Sequence, residues 1–339
     1  MSNTSPSRLG QINASGDVNA LFLKVFSGEI LTTFEEQNIM KDLHMVRTIS
    51  SGKTAQFPVT GIADAKYHTV GEDIVDAGNN YLSAIKHAER TINIDDVLIA
   101  STFIANIDEL KNHYDVRSIY AKELGKALAK RFDIATMKTL FAAAGGTSPI
   151  GGASGTEVSN ATTTTAAGLV DALYAVARSL DEKDTPEDGR FAILTPSQYY
   201  TLLTADNVAI NRDTGGLGNV ATGKIPMVAG IKLFKSNHLD DVIGLGDASG
   251  VSTGDGEANN DVFGAGGEGY NGDFSSLSGS GAAKGFLAGT REAIGTVKLL
   301  DLATESEYQI QRQGTLFVAK YAMGHGVLRP ECAVKVLPA

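Results

Sequence analysis

The chain has no tryptophan, one cysteine, eight prolines and no apolar run of membrane-spanning length. Without about 18 consecutive apolar residues, no helix of this sequence is expected to span a bilayer. The start, MSNTSPSRLGQINASGD, lacks the apolar core of a secretion signal, so synthesis and folding in a cytoplasm are expected. One cysteine, Cys332, excludes an intramolecular disulfide and fits a reducing compartment. Basic residues are also in deficit, 29 against 39 acidic ones for a formal charge of −10, with no concentrated basic patch to hold a polyphosphate surface. The six histidines are scattered without metal-ligand spacing, and neither HExxH, CxxC nor a Gly-x-Ser-x-Gly elbow occurs. What remains is an ordinary globular balance: 339 residues, 42% hydrophobic and 20% charged, enough for one large or two modest cores.

Several stretches come close to a chemical motif and fall short. Gly218, Gly223 and Lys224 have the spacing of a phosphate-cradling loop, but the hydroxyl that would ligate magnesium is replaced by Ile225, and Pro226 holds that residue extended. Gly264, Gly266 and Gly269 satisfy Gly-x-Gly-x-x-Gly without a preceding strand or a following helix. The overlapping GGEGYNGDF resembles one calcium-binding nonapeptide, yet such sites need stacked copies and no second copy exists. His325, between Gly324 and Gly326, is expected at a tight bend beside a strand, and Cys332 as a small buried apolar residue rather than a nucleophile. No catalytic, cofactor or metal site is assembled.

The features present are architectural. Residues 1–50 read as an arm with short amphipathic stretches that must pack on something else. Residues 53–61, KTAQFPVTG, favour extended structure. In IKHAERTINID (85–95), Lys86, Ala88, Arg90, Ile92 and Ile94 alternate with His87, Glu89, Thr91 and Asn93, and both faces are polar near Lys86 to Arg90, so a hairpin projecting from the body is expected. Residues 115–144 predict one long helix, stopped at Gly145 and Gly146, with Val116, Tyr120, Leu124, Ala127, Leu128, Arg131, Ala135 and Leu140 on one side and Lys122, Lys126, Lys130 and Lys138 largely on another. A compact mixed part follows: a helix over 166–180, a strand over 190–194, a helix opened by Pro196 and a strand over 227–234. Residues 244–285 hold 13 glycines and read as a surface insertion, after which TVKLLDL, LFVAKYAM and CAVKVL are strand candidates.

An arm, a charged hairpin, a strut-like helix and a compact body are the parts of a subunit that reaches its neighbours. AQFPVTG (55–61), KHAERTINIDD (86–96), NHYDVRSIYAKELGKALAKRFD (112–133), AIGTVKLLDLA (293–303) and AKYAMGHGVLRPE (319–331) resemble, in this order, stretches of the major capsid protein of T-seven-like short-tailed phages. The resemblance implies an α+β fold of the Hong Kong 97 capsid type. It implies an N-terminal arm (1–50), an extended β-hairpin loop (51–104), a peripheral domain with a long spine helix (105–150), an axial domain (151–294) that includes the insertion, peripheral return strands (295–325) and a C-terminal strand beside the axial domain (326–339). It further implies a non-enzymatic protein that self-assembles as hexamers and pentamers into an icosahedral shell around double-stranded DNA. A scaffolding protein, a portal and DNA packaged without sequence-specific contacts would be its partners, in a virion assembled in bacterial cytoplasm, with no cofactor and no membrane. Intersubunit contact candidates are Phe57, Lys86, Glu89, Arg90 and Lys224. The alternatives are an encapsulating compartment that carries protein cargo, and a phosphate-binding enzyme using Lys224.

Overall fold

A computed structural model of the chain describes residues 38–61, 63–75, 81–82, 85–94, 97–105, 117–160, 163–204, 225, 227–239 and 285–338. Lys224, the glycine motif at 264–269 and nearly all of the 244–285 stretch lie outside the described residues. Two sheets and a separate hairpin carry the chain. A four-stranded sheet has the order β1-β10-β11-β4 (Met45–Thr48, Ile294–Gln309, Gly314–Val327, Leu98–Ala105). A six-stranded sheet has the order β5-β12-β9-β6-β8-β7 (Thr156–Asn160, Ala333–Pro338, Phe286–Gly289, Phe191–Leu194, Ile231–Lys235, Met227–Val228). The hairpin is β2 (Thr54–Thr60) with β3 (His87–Asn93).

The long helix α1, Arg117–Gly145, packs against β4 and β11 of one sheet and against β9 and β12 of the other. Its 29 residues make roughly 44 Å at about 1.5 Å each. The expected two-sided pattern holds only in its first half. There Ala121, Gly125, Leu128 and Ala129 are buried and Lys122, Lys126 and Lys130 exposed, but Ala127 and Arg131 face out rather than in. From Phe132 to Phe141 every residue is buried, because that half lies between the two sheets. Polar side chains there need internal partners: Thr136 and Thr139 donate to the carbonyls of Phe132 and Ala135. Lys138, expected on the polar side, is buried as well, and burial together with Arg131 lowers its pKa to about 8.

The second unit is built by local signals that agree with their environment. In α2 (Ala166–Asp181) Leu169, Ala172, Leu173, Val176 and Leu180 recur at helical spacing and are buried, and the Thr165 hydroxyl accepts the Gly168 N–H at 3.2 Å. Helix α3 (Pro196–Thr204) starts with a reciprocal cap: Thr195 N–H donates to Gln198 Oε1 at 3.2 Å and Gln198 N–H to Thr195 Oγ1 at 3.4 Å. β6 is buried on both faces, as its unbroken apolar sequence FAIL requires beside parallel β8 and antiparallel β9. The strand expected over 227–234 is instead a tight hairpin, with Ala229 and Gly230 both at positive φ (51° and 76°) in the turn between β7 and β8.

His325 does not sit at a bend. It lies within β11, half-buried, with its Nδ1 2.8 Å from Thr296 Oγ1 and its ring 5.2 Å from that of Phe132. The flanking glycines have a different purpose. A Cβ on Gly324 would lie 2.0 Å from the Asn93 carbonyl oxygen, and one on Gly326 would lie 2.6 Å from Ile92 Cγ1. β3 thus crosses β11 at a distance that only glycine permits.

Candidate intersubunit surface

The hairpin's register assigns its two faces. Ala55 faces Ile92, Phe57 faces Arg90 and Val59 faces Ala88 on the covered side, whereas Gln56 with Thr91, Pro58 with Glu89 and Thr60 with His87 form the other. Ala55, Ile92 and Ile94 close a small core with Val297, Ala322 and Leu328 of the four-stranded sheet and the turn after it. The hairpin is therefore anchored at its base and covered on one side, rather than polar on both faces along its length.

Among the sequence candidates, Phe57 and Arg90 have partners in their own chain. The Arg47 guanidinium lies 5.7 Å from the Phe57 ring centroid and donates to the Gln56 carbonyl at 2.8 Å. Arg90 Nη2 donates to the Thr147 carbonyl at 3.1 Å, tying the hairpin to the turn after α1. Lys86 accepts the Gly61 N–H at 2.8 Å through its carbonyl, and its Nζ reaches over Gly151. Glu89 stands on the exposed face. Lys224 lies outside the described residues, but its neighbour Ile225 is buried, with its N–H donated to the Tyr199 hydroxyl at 2.8 Å. The position where a nucleotide loop needs a magnesium-ligating hydroxyl is a core residue.

What sequence reasoning missed is the loop beyond the hairpin. Tyr67 and Val70 are essentially fully exposed, at 102% and 96%, and Ile74, Val75, Leu82 and Ile85 are exposed with them. The loop is not shapeless. His68 Nε2 lies 2.8 Å from the Glu72 carbonyl, the Tyr81 hydroxyl accepts the Thr69 N–H at 2.9 Å, and that hydroxyl donates to Glu72 Oε2. Among the described residues of the loop, polar groups thus satisfy one another while apolar side chains are exposed. A second exposed apolar point is the end of the β10–β11 ribbon, where Ile310 is 73% exposed beside Tyr308. The signal that could have found the loop is its run of Tyr67, Val70, Ile74 and Val75 among turn-forming residues.

Chemistry is absent from the same inventory. Among the described residues no group of three His, Cys, Asp or Glu could hold a metal, and no helix is long and apolar enough to cross a membrane. Cys332 is buried and burial pushes its thiol pKa up, the opposite of an activated nucleophile.

Comparison with known proteins agrees with this geometry. The model of the Gp10A-like major capsid proteins matches residues 56–337. The major capsid protein of Escherichia phage T7 is 37% identical over 344 residues, covering 96% of this chain and 93% of that protein. The capsid structure of Cyanophage P-SCSP1u is similar with a TM-score of 0.70 at 37% identity, over 100% of this chain and 99% of that one. The mature capsid of bacteriophage PhiM1, at 17% identity and a TM-score of 0.66 over 97% and 92% of the two chains, shares the fold. These neighbours are phage capsids of the Hong Kong 97 type, structural proteins and not enzymes. The chain belongs to the Gp10A-like family of phage major capsid proteins, and its function is to build the shell of a virion.

Proposed function

We propose that the shell is built from rings of six and five copies in which the β2–β3 hairpin and its loop lie across an adjacent subunit. Residues 1–50 act as the arm, 51–104 as the extended loop, α1 as the spine of the peripheral domain and the six-stranded sheet with α2 and α3 as the axial domain. The exposed side chains of Tyr67 and Val70 carry this reading, since a lone subunit gains nothing by presenting them to water. Glu89, Lys86 and Lys224 add charged contacts at the same or neighbouring seams, each weak alone and summed over closed rings. Phe57 and Arg90 act from beneath, holding the hairpin at the angle the neighbour meets. The acidic balance suits a container that must hold double-stranded DNA without adhering to it, filled through a portal after assembly on a scaffolding protein in the host cytoplasm.

The test is a double variant, Tyr67→Ser with Val70→Ser, produced under conditions in which the wild-type chain forms shells. Electron microscopy is expected to show no shells while sedimentation shows a folded small species. Shells of normal yield and size would overturn the reading.

A further inference from the structure

Asp133 is wholly buried in α1, yet its carboxylate is used outside the helix. It accepts the Met40 N–H on Oδ1 at 3.1 Å and the Ile39 N–H on Oδ2 at 3.2 Å, both from the 3₁₀ turn Met40–Asp42 and its approach. His238, in the segment after β8, places its Nδ1 2.9 Å from the same Oδ2. One carboxylate thus joins three parts of the chain separated by 93 to 105 residues.

His44 closes the far side of this junction. It is fully buried, its Nδ1–H donates to the Met40 carbonyl at 2.6 Å, and its ring lies 5.7 Å from that of Phe132. Its Nε2 is also buried and has no hydrogen-bond partner among the described residues. The charged and titratable groups around it are Asp133 of α1, Lys298 of β10, Arg291 before β10 and His325 of β11. Tyr321 of β11 lies near Asp133 and also near Arg131 of α1. A proton added to Nε2 would put a second donor and a positive charge where two cations already act and the nearby carboxylate is occupied by three donors. His44 belongs to the short segment before β1, its carbonyl accepting from Arg291 Nε at 3.2 Å, whereas His325 lies within β11.

We propose that residues 38–44 form an acid-released latch, held on α1 by Asp133 and let go when His44 takes up a proton, with both sheets remaining folded. Burial pushes the His44 imidazole down to about 4, against the opposing effect of its bond to Met40. A histidine with a depressed folded value stabilises the closed state at pH above about 6.5, where free and latched rings are both neutral. That stability is lost as pH falls through the window from about 6.5 to about 4. The release is carried by His44, whose buried Nε2 has no hydrogen-bond partner among the described residues. The latch does not depend on the assembly reading above.

Hydrogen exchange of the full-length unassembled subunit, corrected for intrinsic rates, tests it. Between about pH 6.5 and pH 4.5, protection of the amides of Ile39 to His44 is expected to fall by up to about tenfold per pH unit, ahead of and more steeply than in peptides covering β6 and α2. His44→Gln is expected to bring the segment's pH response down to that of the sheets, and His238→Asn to lower protection at every pH while leaving the wild-type slope. Three results would overturn the latch: a wild-type segment whose protection ignores pH, a His44→Gln segment that responds as the wild type does, or a segment that loses protection only in step with both sheets. The wild-type profile decides even if His44→Gln does not fold.

Discussion

The six-stranded sheet and the β2–β3 hairpin are both β structure, and they differ in what completes them. The sheet is closed by its own chain: β6 and β9 are buried on both faces, and α1 and α2 cover it. The hairpin is two strands thick, covered on one face, fixed at its base by a glycine crossing and open at its loop. A two-stranded ribbon is marginal alone in water. The first region is completed by its own chain; the second leaves one face and its loop uncovered by that chain.

That contrast can be broken from either side. The largest effect is expected in the sheet: Leu140→Ala empties a fully buried position whose Cδ1 lies against Gly289 of β9, and should cost about 2–5 kcal/mol in a denaturant titration, leaving little folded subunit. A pH change attacks the body differently. Burial, and His44 beside it, push the His325 imidazole down to about 3, and this ring cannot leave without opening β11. The melting temperature should therefore fall as pH drops from about 6.5 towards 4, and His325→Gln should flatten that dependence. At the crossing, Gly324→Ala should cost about 1–3 kcal/mol and loosen the hairpin, with exchange rising in β2 and β3 before β6, and should prevent shell formation. The smallest effect on the subunit is expected from Arg90→Glu, which removes one hydrogen bond to Thr147 and should change stability by less than about 1 kcal/mol. Shells are nevertheless expected to disappear, because the misaligned hairpin no longer meets its neighbour. Normal particles from Arg90→Glu would remove that residue from the assembly argument.

Much of the architecture was legible because it is written in local periods. The alternation around Ile92, the thirty-residue helical stretch and the Pro196 start each act through near neighbours, and the structure places elements there. The failures share a cause. Lys138 follows a helical wheel that assumes one dry side, whereas the second half of α1 is enclosed by strands from both sheets; Ala127 and Arg131 lie off the buried stripe of Ala121, Gly125, Leu128 and Phe132. Gly324 and Gly326 suggested a bend because glycine favours turns, but the constraint comes from a strand more than 200 residues earlier. Nothing near Asp133 in the sequence marks its role, since Ile39, Met40 and His238, which its carboxylate engages, are distant in the chain. The loop of Tyr67 and Val70 is a different case: its apolar residues among turn formers are a local signal, but their exposure depends on what fails to cover them, which is a property of the whole fold.

The pairing of β5 with β12 has a consequence for how the molecule is made. β5 begins at Thr156 and its parallel partner at Val334, so at about 5–20 residues per second a ribosome needs roughly 10–35 s to supply the second strand after the first. The dock for the hairpin, at Gly324 and Gly326, arrives almost as late. A nascent chain accordingly carries its exposed apolar loop long before the strand on which the hairpin docks, and the six-stranded sheet closes only when β12 emerges. Translation itself acts as a timer: a product that stops before Ala333 lacks β12 and cannot complete that sheet.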